Sequence, residues 1–140
     1  MLQVTAKTDY GLLLMAALAK KSGDEPVSLR EIAEKQKLPY RFLTQIVIPL
    51  RRAGLLEAKE GVRGGYRFVK SADKISVGEI VRALEGDVAL VSCAKGDSLD
   101  CPNGRVCHLV PFWRRVNDRL IEALDSITLA EINRSTPRSK

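Results

Sequence analysis

The chain contains one histidine and one tryptophan, and none of its apolar runs approaches the roughly 20 residues that a membrane-spanning helix needs. A lone histidine leaves no catalytic dyad to build on, and no phosphate-binding glycine loop opens a nucleotide fold, so no enzyme is expected. The start, Met1 to Lys7, lacks the long apolar segment of a signal peptide, which predicts a cytoplasmic protein. Cysteine is also scarce, with three in 140 residues. An odd number cannot close a disulfide framework without stranding one thiol, which again favours a reducing compartment. There is no internal repeat and no low-complexity tract.

Those three cysteines are concentrated. Cys93, Cys101 and Cys107 fall within fifteen residues of polar sequence rich in Gly, Asp, Pro and Asn. Unpaired cysteine usually behaves as a small buried hydrophobe, yet this stretch offers almost no apolar surface to bury it against. The pattern predicts thiols kept for chemistry on a flexible loop. Thiolate sulfur is a soft ligand that selects iron-sulfur clusters, zinc or cuprous copper. Redox-active thiols without metal and thiols with no role remain alternatives. Seven and five residues separate the successive cysteines, so three can wrap one cluster and leave a position for another ligand. His108 is a candidate for it. On a helix it would point about 100° away from Cys107, which is awkward for one zinc ion and easier around a cluster.

The net charge of +6 is unevenly spread: residues 1–70 carry 13 Lys/Arg against 7 Asp/Glu, and residues 71–140 carry 10 against 10. A basic excess confined to one half suits a polyanion-binding surface, because phosphate contacts release counterions.

The periodicity of apolar residues predicts a first helix over 5–21 with Tyr10, Leu13, Leu14, Ala17 and Leu18 on one face. Ser28 and Glu31 read as a capping box opening a second helix that reaches about Gln36. Leu38-Pro39 makes a tight turn into a third helix from Pro39 to about Ala53, stopped by Gly54. Pro49 lies inside that helix and predicts a bend or break near residues 45–49. Two short strands, Leu55 to Lys59 and Tyr66 to Val69, flank a glycine-rich turn. Ser76 with Glu79, and Thr128 with Glu131, mark two further helix starts. Between them a long helix from about Leu109 carries Leu109, Val110, Trp113, Val116, Leu120 and Leu124 as an expected dimer seam, with a monomer core on the same stripe as the alternative.

A short capped helix, a tight turn, a longer helix and a basic hairpin form the pattern of a winged helix-turn-helix. The second helix of such a pair enters the major groove. Its outward positions are Tyr40, Arg41, Thr44 and Gln45, with Arg suited to guanine, Gln to adenine and the Thr methyl to thymine. Arg51 and Arg52 are placed for phosphate. In the hairpin, Gly61, Gly64 and Gly65 allow close backbone approach, and Arg63 and Arg67 carry charge at the tip, suited to a minor groove. Ser28 and Tyr66 complete the expected DNA-contact set.

Leu43, Gln45-Ile46, Leu50-Arg51, Gly54-Leu55, Arg63-Gly64-Gly65-Tyr66, Ile75, Val77-Gly78-Glu79-Ile80, the three cysteines, Trp113 and Ile127-Thr128-Leu129-Ala130-Glu131 together resemble the IscR/NsrR-like winged-helix iron-sulfur regulators, the Rrf-two family. The resemblance spans nearly the whole chain. It implies a homodimer on a palindromic double-stranded operator, with Arg41, Thr44 and Gln45 at the bases, Arg63 in the wing, and an iron-sulfur cluster of two or four irons held by Cys93, Cys101 and Cys107. One branch of the family adds a histidine three residues after the last cysteine, where this chain has Val110. Another uses an acidic residue from the partner's first helix, matched here by Asp9; His108 is the competing ligand, and solvent or a thiol a third possibility.

The expected fold is mainly α with a small β-hairpin wing, a winged helix-turn-helix plus a long C-terminal dimerisation helix. Residues 1–72 would read DNA, 73–108 connect and carry the cluster loop, 109–134 dimerise, and 135–140 form a tail. The expected function is transcriptional regulation, as a repressor, with operator affinity set by cluster state. Iron-sulfur, redox or nitric oxide status is the expected signal, and no membrane or small-molecule substrate is evident. A zinc- or thiol-stabilised winged-helix factor without sensing, or an iron-sulfur redox protein, are the alternatives.

Overall fold

A computed structural model describes residues 4–21, 25–95 and 106–135. Its helices are α1 (Ala6–Lys20), α2 (Leu29–Gln36), α3 (Tyr40–Arg52), α4 (Val77–Glu85), α5 (Leu109–Ser126) and α6 (Leu129–Ser135). Strands β1 (Leu56–Lys59) and β2 (Gly65–Phe68) form one antiparallel hairpin, and single 3-10 turns span Ala72–Lys74 and Ser92–Lys95.

The core draws on both halves of the sequence. Leu14 of α1, Leu43 and Leu50 of α3, Ile75, Ile80 of α4 and Leu129 of α6 are all fully inaccessible. Each such aliphatic side chain stabilises the fold by about 1.5–3 kcal/mol relative to exposure. The face of α1 that packs inward runs through Thr8, Gly11, Leu14, Met15 and Leu18, so Leu13, expected inward, lies outside at 41% exposure. Gly11 lies on the inward face, where Leu84 comes so close that a Cβ would lie 2.3 Å from Leu84 Cδ1.

Two of the three expected capping boxes form. Ser76 Oγ accepts from the Glu79 N–H at 3.1 Å while Glu79 accepts from the Ser76 N–H at 2.9 Å. Thr128 and Glu131 make the same reciprocal pair at 3.3 and 3.1 Å. Burial opposes ionisation of Glu79, but Lys70 at 2.5 Å and the Ser76 backbone outweigh it and hold the carboxyl below its usual range. At α2 the expected box is absent. Ser28 is the N-cap residue but makes no side-chain capping bond, and the Glu31 carboxylate is engaged by Lys21 and by Lys35.

Pro49 does not break α3. The helix continues through it to Arg52, and the Ala53 N–H bonds the Pro49 carbonyl at 3.0 Å. Proline removes one backbone donor. Ile46 and Val47 before it and Leu50 after it are all buried, so packing holds the last turn in place.

The hairpin pairs Leu56 with Phe68, Glu57 with Arg67, Ala58 with Tyr66 and Lys59 with Gly65. Its second strand also bridges the entry to α2: Val27 and Tyr66 exchange both backbone bonds at 2.9 Å. Gly65 makes this possible, since a Cβ there would lie 2.3 Å from the Val27 carbonyl oxygen.

Candidate nucleic-acid interface and thiol site

The short α2 ends at Lys37 in left-handed geometry (φ 55°), and the Leu38 N–H returns to the Ala33 carbonyl at 2.9 Å. This turn sends α3 away with its apolar stripe, Leu43, Ile46, Val47 and Leu50, in the core. The opposite face is left to solvent. Tyr40, Arg41 and Gln45 are exposed there and Thr44 is half-buried. The Thr44 hydroxyl donates to the Arg41 carbonyl at 2.6 Å, so its methyl rather than its donor is available to an outside group. Arg51 and Arg52 are exposed on the last turn of α3.

The wing stands beside α2. Arg63 is exposed at its tip, while Gly64, Gly65 and Tyr66 are half-buried where the strand meets Val27. A cleft of about 400 Å³ lined by Lys21, Ser28, Glu31 and Arg63 separates the wing tip from the start of α2. Arg67 was expected to add charge at the tip. It lies in β2 instead, where its guanidinium pairs with Glu57 on β1.

Arg30 was missed by the sequence reading. Its guanidinium carbon lies 4.6 Å from the centre of the Tyr40 ring, across the turn between α2 and α3. The available signal was a cation in the first turn of α2 and an aromatic residue opening α3.

Cys93 sits in the 3-10 turn over Ser92–Lys95, which packs against α5, and Cys107 lies just before that helix. Both are half-buried and free of disulfide, so these two thiols are more enclosed than a loop of polar sequence led us to expect. Cys101 falls outside the described residues. Asn117 holds the segment before Cys93 against α5: its Oδ1 accepts from the Leu90 N–H at 3.0 Å and its Nδ2 donates to the Val88 carbonyl at 3.1 Å. His108 is exposed at the head of α5, and Asp9 is exposed in the first turn of α1. Among the described residues, no three His, Cys, Asp or Glu side chains converge as a metal-binding group. The donor chemistry of two enclosed, unpaired thiols on one packed unit fits a soft metal or a cluster.

Of the eighteen residues of α5 only Asn117 is buried, and Leu109 and Phe112 are more than half exposed. Among the described residues no helix is long and apolar enough to cross a membrane.

A helix pair with a left-handed turn, an outward basic second helix and a hairpin clamped to the first define a winged helix-turn-helix protein. The model of the Rrf2 family, described as an iron-dependent transcriptional regulator, matches residues 4–135. The chain belongs to the Rrf2 family of transcriptional regulators and is not an enzyme. It is 37% identical over 131 residues to the HTH-type transcriptional regulator CymR of Bacillus subtilis, covering 94% of this chain and 89% of that one. The solved structure of that protein, described as the global cysteine regulator of B. subtilis, aligns with a TM-score of 0.76 at 36% identity over 98% of this chain and all of the other. The structure of T. potens IscR aligns with a TM-score of 0.71 at 34% identity, covering 99% and 94% of the two chains.

Proposed function

We propose that this regulator acts in the cytoplasm as a homodimer on palindromic double-stranded DNA, and that an iron-sulfur centre held by Cys93, Cys101 and Cys107 sets its operator affinity. Arg41, Thr44 and Gln45 read base edges in the major groove. Arg51, Arg52 and Ser28 position the helix pair on phosphates, with Tyr40 beside them at the head of α3, and Arg63, Gly64, Gly65 and Tyr66 bring the wing against the adjacent groove. Thr44 contributes its methyl, which suits thymine, because its hydroxyl is engaged by Arg41. Residues 1–72 carry this reading surface, 73–108 the thiol segment, and 109–134 the dimer contacts.

The observation that carries the sensing half is the packing of the Cys93 turn on α5, the helix that begins directly after Cys107 and His108. Any group that draws the three sulfurs together pulls on both ends of a unit that leans on α4, and α4 packs on α3. When bound, the cluster supplies a centre that reacts with oxidants and nitric oxide. Asp9 of the partner subunit or His108 completes the donor set. The expected outcome is repression that depends on cluster state, and by linkage operator DNA alters how tightly the centre is held.

A second reading is a thiol- or zinc-based regulator without a cluster, and the similarity to a cysteine regulator favours it. Protein purified without air decides between them. Iron with acid-labile sulfide and visible charge-transfer absorption supports the first reading; colourless protein with zinc or no metal supports the second. Binding of metal-loaded and metal-free protein to a palindrome selected from random duplexes, at one salt concentration, tests the switch. Equal affinities would remove it.

A further inference from the structure

We propose that Arg30 and Tyr40 form one pre-organised DNA-backbone contact, in which the ring holds the guanidinium flat while its edge donates to a phosphate oxygen; this rests on the DNA-binding reading above. Arg30 is the second residue of α2 and Tyr40 the first of α3, so this contact crosses the turn that aims α3. Both side chains are exposed, as is Arg41, the next residue along α3.

Arg67, Arg82 and Arg119 each meet a carboxylate, from Glu57, Asp125 and Glu122 respectively. Among the described residues, no acidic side chain forms an ion pair with Arg30, and its guanidinium lies over the face of the Tyr40 ring. In the proposed stack the guanidinium uses its π-face and leaves its in-plane N–H donors free, and those donors match the oxygens of a phosphate. A lysine here would keep the charge and lose the planar stack. Holding the side chain beforehand also reduces the rotamer entropy lost on binding. Tyr40 is thus a positioning residue for Arg30, and the pair fixes how α2 and α3 sit together on the duplex.

The test uses the full chain with two probes: a 30-base-pair duplex pool of random sequence, and a palindrome selected from that pool by the wild-type protein. Affinities are measured across a salt series. Arg30→Ala should weaken binding to both probes alike and reduce the slope of log K against log salt by about one. Arg30→Lys should keep the slope and lose about two- to fivefold in affinity. Tyr40→Leu should lose the same about two- to fivefold in the wild-type background and almost nothing when combined with Arg30→Ala. In DNA-free protein, Tyr40→Leu should move the Arg30 Hε resonance out of the ring-current field, with thermal melting unchanged to show that the fold survives.

An unchanged slope for Arg30→Ala, additive losses in the double variant, or an Hε resonance indifferent to Tyr40→Leu would each overturn the proposal. A wild-type protein that binds neither duplex overturns the DNA-reading assignment together with this one. Normal wild-type binding with an indifferent Arg30→Ala overturns this one alone.

Discussion

Glu31 is a carboxylate claimed by charge instead of by the backbone. The Ser-x-x-Glu spacing at residues 28–31 predicts a capping box, and the same spacing succeeds at Ser76 and Thr128. At Ser28 it fails, and the carboxylate goes instead to Lys35, one turn along α2, and to Lys21, which reaches across from the end of α1. Only the first of these lysines is visible as a local pattern. The hydrogen bonds from Lys21 and Lys35 lower the Glu31 pKa from 4.5 to about 2. A depressed carboxylate stabilises the fold above its unfolded pKa, and the contribution fades as pH falls toward the folded value. Carboxyl chemical shifts should therefore show Glu31 still ionised at pH 3.5, with a midpoint near the lowered value, about 2. Lys21→Met should bring that midpoint back toward the ordinary range. A wild-type midpoint at the ordinary value would show that the lysines do not hold this carboxylate.

Among the elements, the hairpin and α3 show what sequence patterns convey and what they omit. Glycine punctuation located the wing to within a residue, since Gly61, Gly64 and Gly65 separate two short apolar-containing runs. The bridge from Tyr66 back to Val27 was not legible, because it joins residues far apart in sequence through backbone atoms alone. It makes Gly65 a constrained position. Gly65→Ala should push its Cβ into the Val27 carbonyl and destabilise the protein by roughly 1–3 kcal/mol, measured by urea unfolding. An unchanged midpoint would mean that the wing relaxes away from α2. For α3, local propensity suggested an interruption at Pro49, and packing overrode it. The expected site residues on α3 were readable because helical periodicity separates core from surface: once Leu43, Ile46, Val47 and Leu50 turn inward, Arg41 and Gln45 must turn outward. Arg30 escaped that logic because its role depends on a partner in another helix.

Across the whole molecule, the first and last helices close on each other. Asn133 Nδ2 donates to the Ala16 carbonyl at 3.1 Å, and the Leu129 N–H bonds the Ile75 carbonyl at 2.8 Å. Leu129 is fully inaccessible and shares its cluster with Leu14 and Leu43. The core beneath α3 and the hairpin is therefore completed from the far end of the sequence. A chain ended after Ile127 should lose its cooperative thermal transition, whereas one ended after Ser135 should keep it. Calorimetry distinguishes the two, and a cooperative transition in the shorter chain would show that α6 is dispensable. This closure was invisible to the sequence reading, which located the last helix by its cap without revealing where it docks.

Asn117, the one buried residue of the long helix, has a consequence for the thiols. It fastens the chain at Val88 and Leu90, and α5 fastens it again after Cys107. The stretch bearing the three sulfurs is thus tethered at both ends before anything binds. Much of the loop-closure entropy of gathering distant donors would then already be spent in folding, so on the proposed reading of the thiols their affinity for a shared group is tuned by an amide side chain that touches none of them.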